Sequence, residues 1–173
     1  MFIPQTLSEI TGPVYGHSDV KVEEADLTIH HASEPLGERI IVKGRVLDEG
    51  GRPAPNTLVE IWQCNAAGNY KFVSIKPGAY PWRNHPNAWR PAHIHLSLFG
   101  PSFLTRLVTQ MYFPGDPLFP FDPIFNSVPD PKARERMICQ FDLEATKPEW
   151  ALGYNFDIVL RGSKATPMDP DHA

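Results

Sequence analysis

Apolar and polar positions alternate with a period of two along much of the chain, the pattern of strands with one buried face. The run RIIVKGRVL at residues 39–47 is rich in β-branched residues, and residues 57–62 repeat that character after the turn-forming Asp48-Glu49-Gly50-Gly51. These two runs predict a hairpin-like pair. Residues 71–75 predict a third strand, ended by Pro77-Gly78. Over residues 92–99 the alternation is strict, with His93, His95 and Ser97 on one side and Ile94, Leu96 and Leu98 on the other. Residues 107–113 and 154–160 repeat the pattern, and Tyr154, Phe156, Ile158 and Leu160 predict a buried face. Only one stretch reads as helix, with Asp130 as N-cap, Pro131 at the first helical position and helix formers from Lys132 to Ile138. Residues 1–36 carry little periodicity beyond Leu27-Thr28-Ile29 and predict an N-terminal arm, leaving residues 37–173 as one domain. The expected fold class is all-β, a single β-sandwich domain with one short helix.

Composition supports that picture and removes several functions. A chain of 173 residues with 42% hydrophobic residues, ten Phe, five Tyr and four Trp is a folded single domain rather than a disordered one. Nineteen Pro, about twice the usual ~5%, exclude long uninterrupted helices. A net charge of −4 without any run of five or six like charges argues against a nucleic-acid partner. No apolar run approaches the ~18 residues of a membrane span, and the start lacks a basic leader, so no membrane is expected and the location is expected to be cytoplasmic. Cys64 and Cys139 lie in no CxxC and read as buried thiols rather than a bridge or zinc ligands.

The sharpest chemical signal is His93-Ile94-His95, because positions two apart on a strand put both imidazoles on one face, within reach of one metal ion. Alone, such a pair is more often two surface or hydrogen-bonded histidines. A cupin reading requires an acidic ligand shortly downstream, and residues 96–100 supply none. The preceding blocks PGAYPWRN at 77–84 and WRPA at 89–92 add Tyr80, Trp82 and Arg90. A tyrosinate is a hard oxygen donor, and mixed Tyr/His ligation suits non-haem Fe(III) better than zinc. The plain alternative makes Tyr80 and Trp82 core aromatics beside a proline turn.

Longer blocks carry a resemblance. TGP at 11–13, GERIIVKGRVLDEGGRPAPNTLVEIWQ at 37–63, IKPGAYPWRN at 75–84, WRPAHIH at 89–95, LVTQMYFPGDPL at 107–118 and FDIVLRG at 156–162 resemble the intradiol ring-cleavage dioxygenases, over about residues 10–166. The resemblance implies a non-haem Fe(III) ion with Tyr80 and His93 as axial ligands and His95 as an equatorial one. It also implies a second equatorial tyrosine after Asn-Ala-x-Gly-x, which here is Asn65-Ala66-Ala67-Gly68-Asn69-Tyr70. Arg90 matches an arginine that stabilises charge developing on the substrate, Gln110 a polar residue behind the site, and Trp82 an aromatic wall, with Trp82 and Tyr80 the implied substrate-binding residues. The implied reactants are a small aromatic catechol, protocatechuate or a relative, and O2. The implied partner is a related α subunit in a hetero-oligomer.

The chain departs from the family pattern at one place. Relatives insert a long excursion after the ligand tyrosine, whereas Tyr70 runs straight into Lys71-Phe72-Val73. Tyr70 is therefore either the ligand or the strand tyrosine that precedes Phe72 on the far side of the missing segment. The same departure motivates the alternative of a metal-free or inactive β-sandwich subunit that serves assembly.

Overall fold

The computed structural model describes residues 25–30, 32–54, 57–60, 69–83, 86–99, 106–160 and 164–167. Most of the expected N-terminal arm, the end of the second predicted strand, Cys64 and the Asn65-to-Gly68 stretch lie outside them. The elements are β1 (Arg39–Leu47), β2 (Leu58–Glu60), β3 (Asn69–Ile75), β4 (Tyr80–Trp82), β5 (Ala88–Arg90), β6 (His93–Phe99), β7 (Arg106–Tyr112), a 3₁₀ turn (Phe119–Phe121), α1 (Pro123–Ser127), α2 (Pro131–Glu135), β8 (Gln140–Phe141), β9 (Leu152–Asn155) and β10 (Ile158–Val159). None of the described helices is long and apolar enough to cross a membrane.

Two sheets face each other across one core, the architecture of a β-sandwich. In the first, β1 is central, with β3 antiparallel on one side and β9 and then β10 parallel on the other; β8 continues the sheet beyond β9. The second is β2–β6–β7, all antiparallel, and β4–β5 is a separate two-stranded ribbon. Ile40, Val42, Phe72, Tyr154 and Ile158 from the first sheet meet Val59, Leu96, Leu98 and Met111 from the second. The predicted buried face of residues 154–160 is present, split between β9 and β10. Cys139 is a buried thiol.

The expected pairing of the first two strands is corrected. The turn itself forms, with Asp48 Oδ1 accepting from Gly50 N at 2.8 Å and Gly51 at φ 75°, a conformation that favours glycine. Beyond the Leu47–Pro53 bridge, however, β2 pairs with β6 in the opposite sheet. There Val59 lies opposite Leu98 and enters the core, while β1 takes β3, whose Phe72 lies opposite Val42.

Where the sequence predicts one helix, the described residues hold two short ones. The predicted helix begins as expected, with Asp130 accepting from Lys132 N at 3.0 Å and Pro131 at its start, and stops at Glu135. The additional α1 is built by the same device, since Asp122 accepts from Ile124 N at 2.9 Å ahead of Pro123.

Gly44 decides where the Tyr70 ring can go. A Cβ at position 44 would stand 1.9 Å from the Phe156 carbonyl oxygen and 2.7 Å from Tyr70 Cε1, so only glycine admits both. Tyr70 lies directly opposite Gly44 on β3, its ring filling the space the missing side chain leaves.

Candidate active site

The β6–β7 ribbon turns one face to the core and the other to a polar site. His93 lies opposite Tyr112 and His95 opposite Gln110. The β4–β5 ribbon pairs Tyr80 with Arg90, and the two-residue link Pro91-Ala92 carries the chain from Arg90 into His93. Local geometry thus brings Tyr80, Trp82, Arg90, His93, His95 and Gln110 to one place from sequence separations of up to thirty residues.

His93 is at the centre. Its ring centroid is 5.0 Å from that of His95, 5.8 Å from Tyr80 and 5.7 Å from Tyr112. Nδ1 stands 2.7 Å from the Pro91 carbonyl oxygen, which only accepts, so Nδ1 carries the proton and Nε2 the lone pair. Burial, followed by the neighbouring Arg90 charge and His95, holds the His93 pKa below its ordinary value and keeps the ring neutral, the state a metal ligand requires. His95 is exposed, and Tyr80, at 43% exposure, borders solvent.

Behind the imidazoles lies a buried polar network. Arg90 donates through Nη2 to Gln110 Oε1 and to Tyr112 Oη, and its Nε is 3.2 Å from the Asp122 carboxylate. Tyr112 Oη donates to Gln110 Oε1 at 2.8 Å. Burial works against the Arg90 charge, but the Asp122 carboxylate and the Tyr112 oxygen outweigh it and raise the guanidinium pKa. Burial likewise pushes the Tyr112 phenol well above its usual range, so it stays protonated. Trp82 is half-buried, with the Arg90 Cζ 5.8 Å from its ring centroid.

Tyr70 stands elsewhere. It is buried among Val42, Phe72 and Phe156, and its hydroxyl donates to the Phe156 carbonyl. His93, His95 and Tyr80 could together offer two imidazoles and one phenol to a metal ion. Among the described residues no three His, Cys, Asp or Glu come together. A hard phenolate with borderline imidazoles fits a ferric ion by ligand chemistry.

Sequence reasoning misses Asp122 and Tyr112. Tyr112 lies in the 107–118 block as one more strand aromatic, but Asp122-Pro123 carries the same cap-and-proline signal that identifies Asp130-Pro131. The Phe119, Phe125 and Met137 side chains pack under Tyr112 and seat the 3₁₀ turn and α1 against the site.

Comparison with known proteins agrees. A family model described as dioxygenase matches residues 10–72 and again residues 64–162. The two matches share residues 64–72, the stretch that contains Tyr70. The chain is 52% identical to the protocatechuate 3,4-dioxygenase beta chain of Burkholderia cepacia, covering 96% of this chain and 84% of that one. That alignment runs over 198 positions, more than the 173 residues present here, so the relative carries residues that this chain lacks. The protocatechuate 3,4-dioxygenase alpha chain of Pseudomonas putida is 26% identical, covering 95% of both chains. Among solved structures, the dioxygenase domain of a carbohydrate-binding fusion protein from Streptomyces sp. SirexAA-E superposes with a TM-score of 0.57 at 24% identity, covering 90% of this chain and 97% of that one. The chain belongs to the intradiol ring-cleavage dioxygenases, a family of oxidoreductases.

Proposed function

We propose that this chain binds a non-haem ferric ion through His93, His95 and Tyr80 and opens the ring of protocatechuate or a related catechol between its hydroxyl-bearing carbons. Both atoms of O2 enter the product, a carboxy-cis,cis-muconate. The observation that carries this reading is the arrangement around His93: a neutral ring, fixed in tautomer by the Pro91 carbonyl, with His95 and Tyr80 as its ring neighbours. When bound, the ion supplies Lewis-acid charge stabilisation for the catecholate oxygens. The 52% identity to a protocatechuate 3,4-dioxygenase beta chain supports the substrate class, and the likeness to an alpha chain supports assembly with a related α partner.

The protein groups then have separable tasks. Tyr80, at the solvent-facing side, accepts a proton at Oη from the incoming catechol. Trp82 forms an apolar wall that orients the ring. Arg90 offsets negative charge as it develops on the substrate, a preorganised electrostatic contribution of about 2.7–4 kcal/mol where comparable donors have been removed. Gln110, bonded to both Arg90 and Tyr112, holds the guanidinium in place. Tyr70 takes the role of the strand tyrosine.

A second reading is favoured by Tyr70's bond to Phe156 and by the doubly matched 64–72 stretch: a metal-free β-sandwich subunit that serves assembly. Elemental analysis and oxygen uptake by the purified protein separate the two. Iron near one per site, with protocatechuate turned over faster than catechol, is the expected result. Stoichiometric zinc or a folded iron-free chain overturns the iron assignment, and equal turnover of the two substrates overturns the substrate assignment.

A further inference from the structure

We propose that Asp122 is a positioning residue for the ring-cleavage reaction, a buried anion that fixes the orientation of Arg90. The inference rests on the reading of Arg90 as the group that stabilises developing charge.

Asp122 is 0% exposed, and a carboxylate taken fully out of water requires a compensating charge or a dense set of donors. Helix capping does not account for it. Asp130 caps α2 with the same geometry while exposed, and a neutral Asn or Ser caps equally well. Nor does a five-residue helix need a buried charge at its start. What distinguishes Asp122 from Asp130 is the Arg90 guanidinium, 3.2 Å away and itself buried.

The guanidinium is gripped on two sides. Asp122 takes the Nε edge, from the segment that follows β7, while Gln110 and Tyr112 on β7 take Nη2. A planar fork held at both places does not swing about its side-chain torsions, so its charge stays fixed beside the Trp82 ring. Asp122 is itself immobilised: its Oδ1 accepts from Ile124 N, its backbone oxygen accepts from Asn126 N at 3.1 Å, and Phe119 stacks on Phe125 at 4.6 Å beside it. The 3₁₀ turn and α1 are thus a brace for one catalytic side chain. Removing the carboxylate leaves the guanidinium held at Nη2, by Gln110 and Tyr112, and frees it to rotate about them.

The test is a cycle of Asp122→Asn, Arg90→Gln and the double variant in the iron-loaded protein. Asn keeps the cap acceptor and nearly the shape, and removes the charge. Asp122→Asn is expected to lower kcat about 10- to 100-fold, the size typical of residues behind a site, with KM changed by no more than about twofold. In the double variant the Asp122 substitution is expected to add nothing to the loss caused by Arg90→Gln, because its effect runs through Arg90. An unchanged kcat in Asp122→Asn, or losses that multiply in the double variant, overturns the proposal. Should Asp122→Asn alone not fold, recovery of the fold by adding Arg90→Gln supports the pairing, and continued failure overturns it.

A readout without turnover completes the test. In the iron-free protein the Arg90 Nε–H resonance, assigned by its loss in Arg90→Gln, is expected to exchange slowly with water and at least about tenfold faster in Asp122→Asn. Equal exchange overturns the proposal. If no catechol is cleaved by the wild-type protein yet the exchange difference is present, the dioxygenase reading fails while the hold on Arg90 stands.

Discussion

Both faces of the β6–β7 ribbon carry buried side chains, and they differ in what makes burial tolerable. On the core face Leu96, Leu98, Leu107 and Met111 pack against apolar side chains of the other sheet. On the site face Gln110 and Tyr112 are as fully buried, and His93 nearly so, yet their polar atoms are tied to Arg90, to each other or to the Pro91 carbonyl. Apolar packing is divisible, because each methyl group removed subtracts its share. A buried polar network is not, because each missing partner leaves another group unsatisfied in a low-dielectric site. The core face therefore sets how stable the protein is, and the site face sets what it does.

Removing one member from each face breaks this division most severely. His93→Ala is expected to abolish iron retention and lower ring cleavage by at least about 100-fold, more than is typical of groups behind a metal site, while circular dichroism stays native. Retained iron at wild-type stoichiometry contradicts the ligand assignment. Leu96→Ala, on the opposite face of the same strand, is expected to lose about 2–5 kcal/mol in urea unfolding and to keep iron per folded molecule. Lost iron in folded Leu96→Ala protein would mean that the faces are not separable.

Tyr70 sharpens the comparison because it is a tyrosine of the core rather than of the site. Tyr70→Phe leaves the buried Phe156 carbonyl without the phenol hydrogen bond, which is expected to cost about 1–3 kcal/mol of stability. Visible absorption, before and after anaerobic addition of substrate, is expected to match the wild type. A lost charge-transfer band would return Tyr70 to the ligand set and move the missing segment to its far side.

Much of this division is legible in the sequence, and where it is not the cause is identifiable. β-Branched composition along 39–47 with the turn breakers around 71–75, and alternation along 92–99 and 107–113, locate β1, β3, β6 and β7 to within two residues, because strand composition and the period of a packed face are written locally. The same alternation places His93 and His95 together. Partner choice is different: β1 and β2 are both runs of apolar, β-branched residues, and which strand each joins is decided by side chains far along the chain. Tyr70 is undecidable from sequence for a related reason. It satisfies two motifs at once, and only the β1–β3 register, which sets Gly44 against it, shows where its ring goes. Asp122 is readable as a cap, but its pairing with Arg90, thirty-two residues earlier, belongs to tertiary structure.

The smallest expected effect comes from a polar side chain placed on the core face. Thr109 sits on the core face of β7, between Leu107 and Met111 and opposite Leu96, and it is fully buried. Among the described residues its Oγ1 finds no hydrogen-bond partner, whereas the unfolded chain offers that hydroxyl water. Valine replaces the hydroxyl with a methyl group of similar size, keeps the β-branched side chain that strands favour, and retains the stiff χ1. Nothing is given up except an unsatisfied group, so Thr109→Val is expected to stabilise the protein by about 1 kcal/mol. The urea midpoint should rise with an unchanged slope, and iron content and turnover should stay at wild-type values because the substitution points away from His93 and Gln110. A lower midpoint would mean that the Thr109 hydroxyl is bonded in the folded protein, and that the core face too depends on a polar contact.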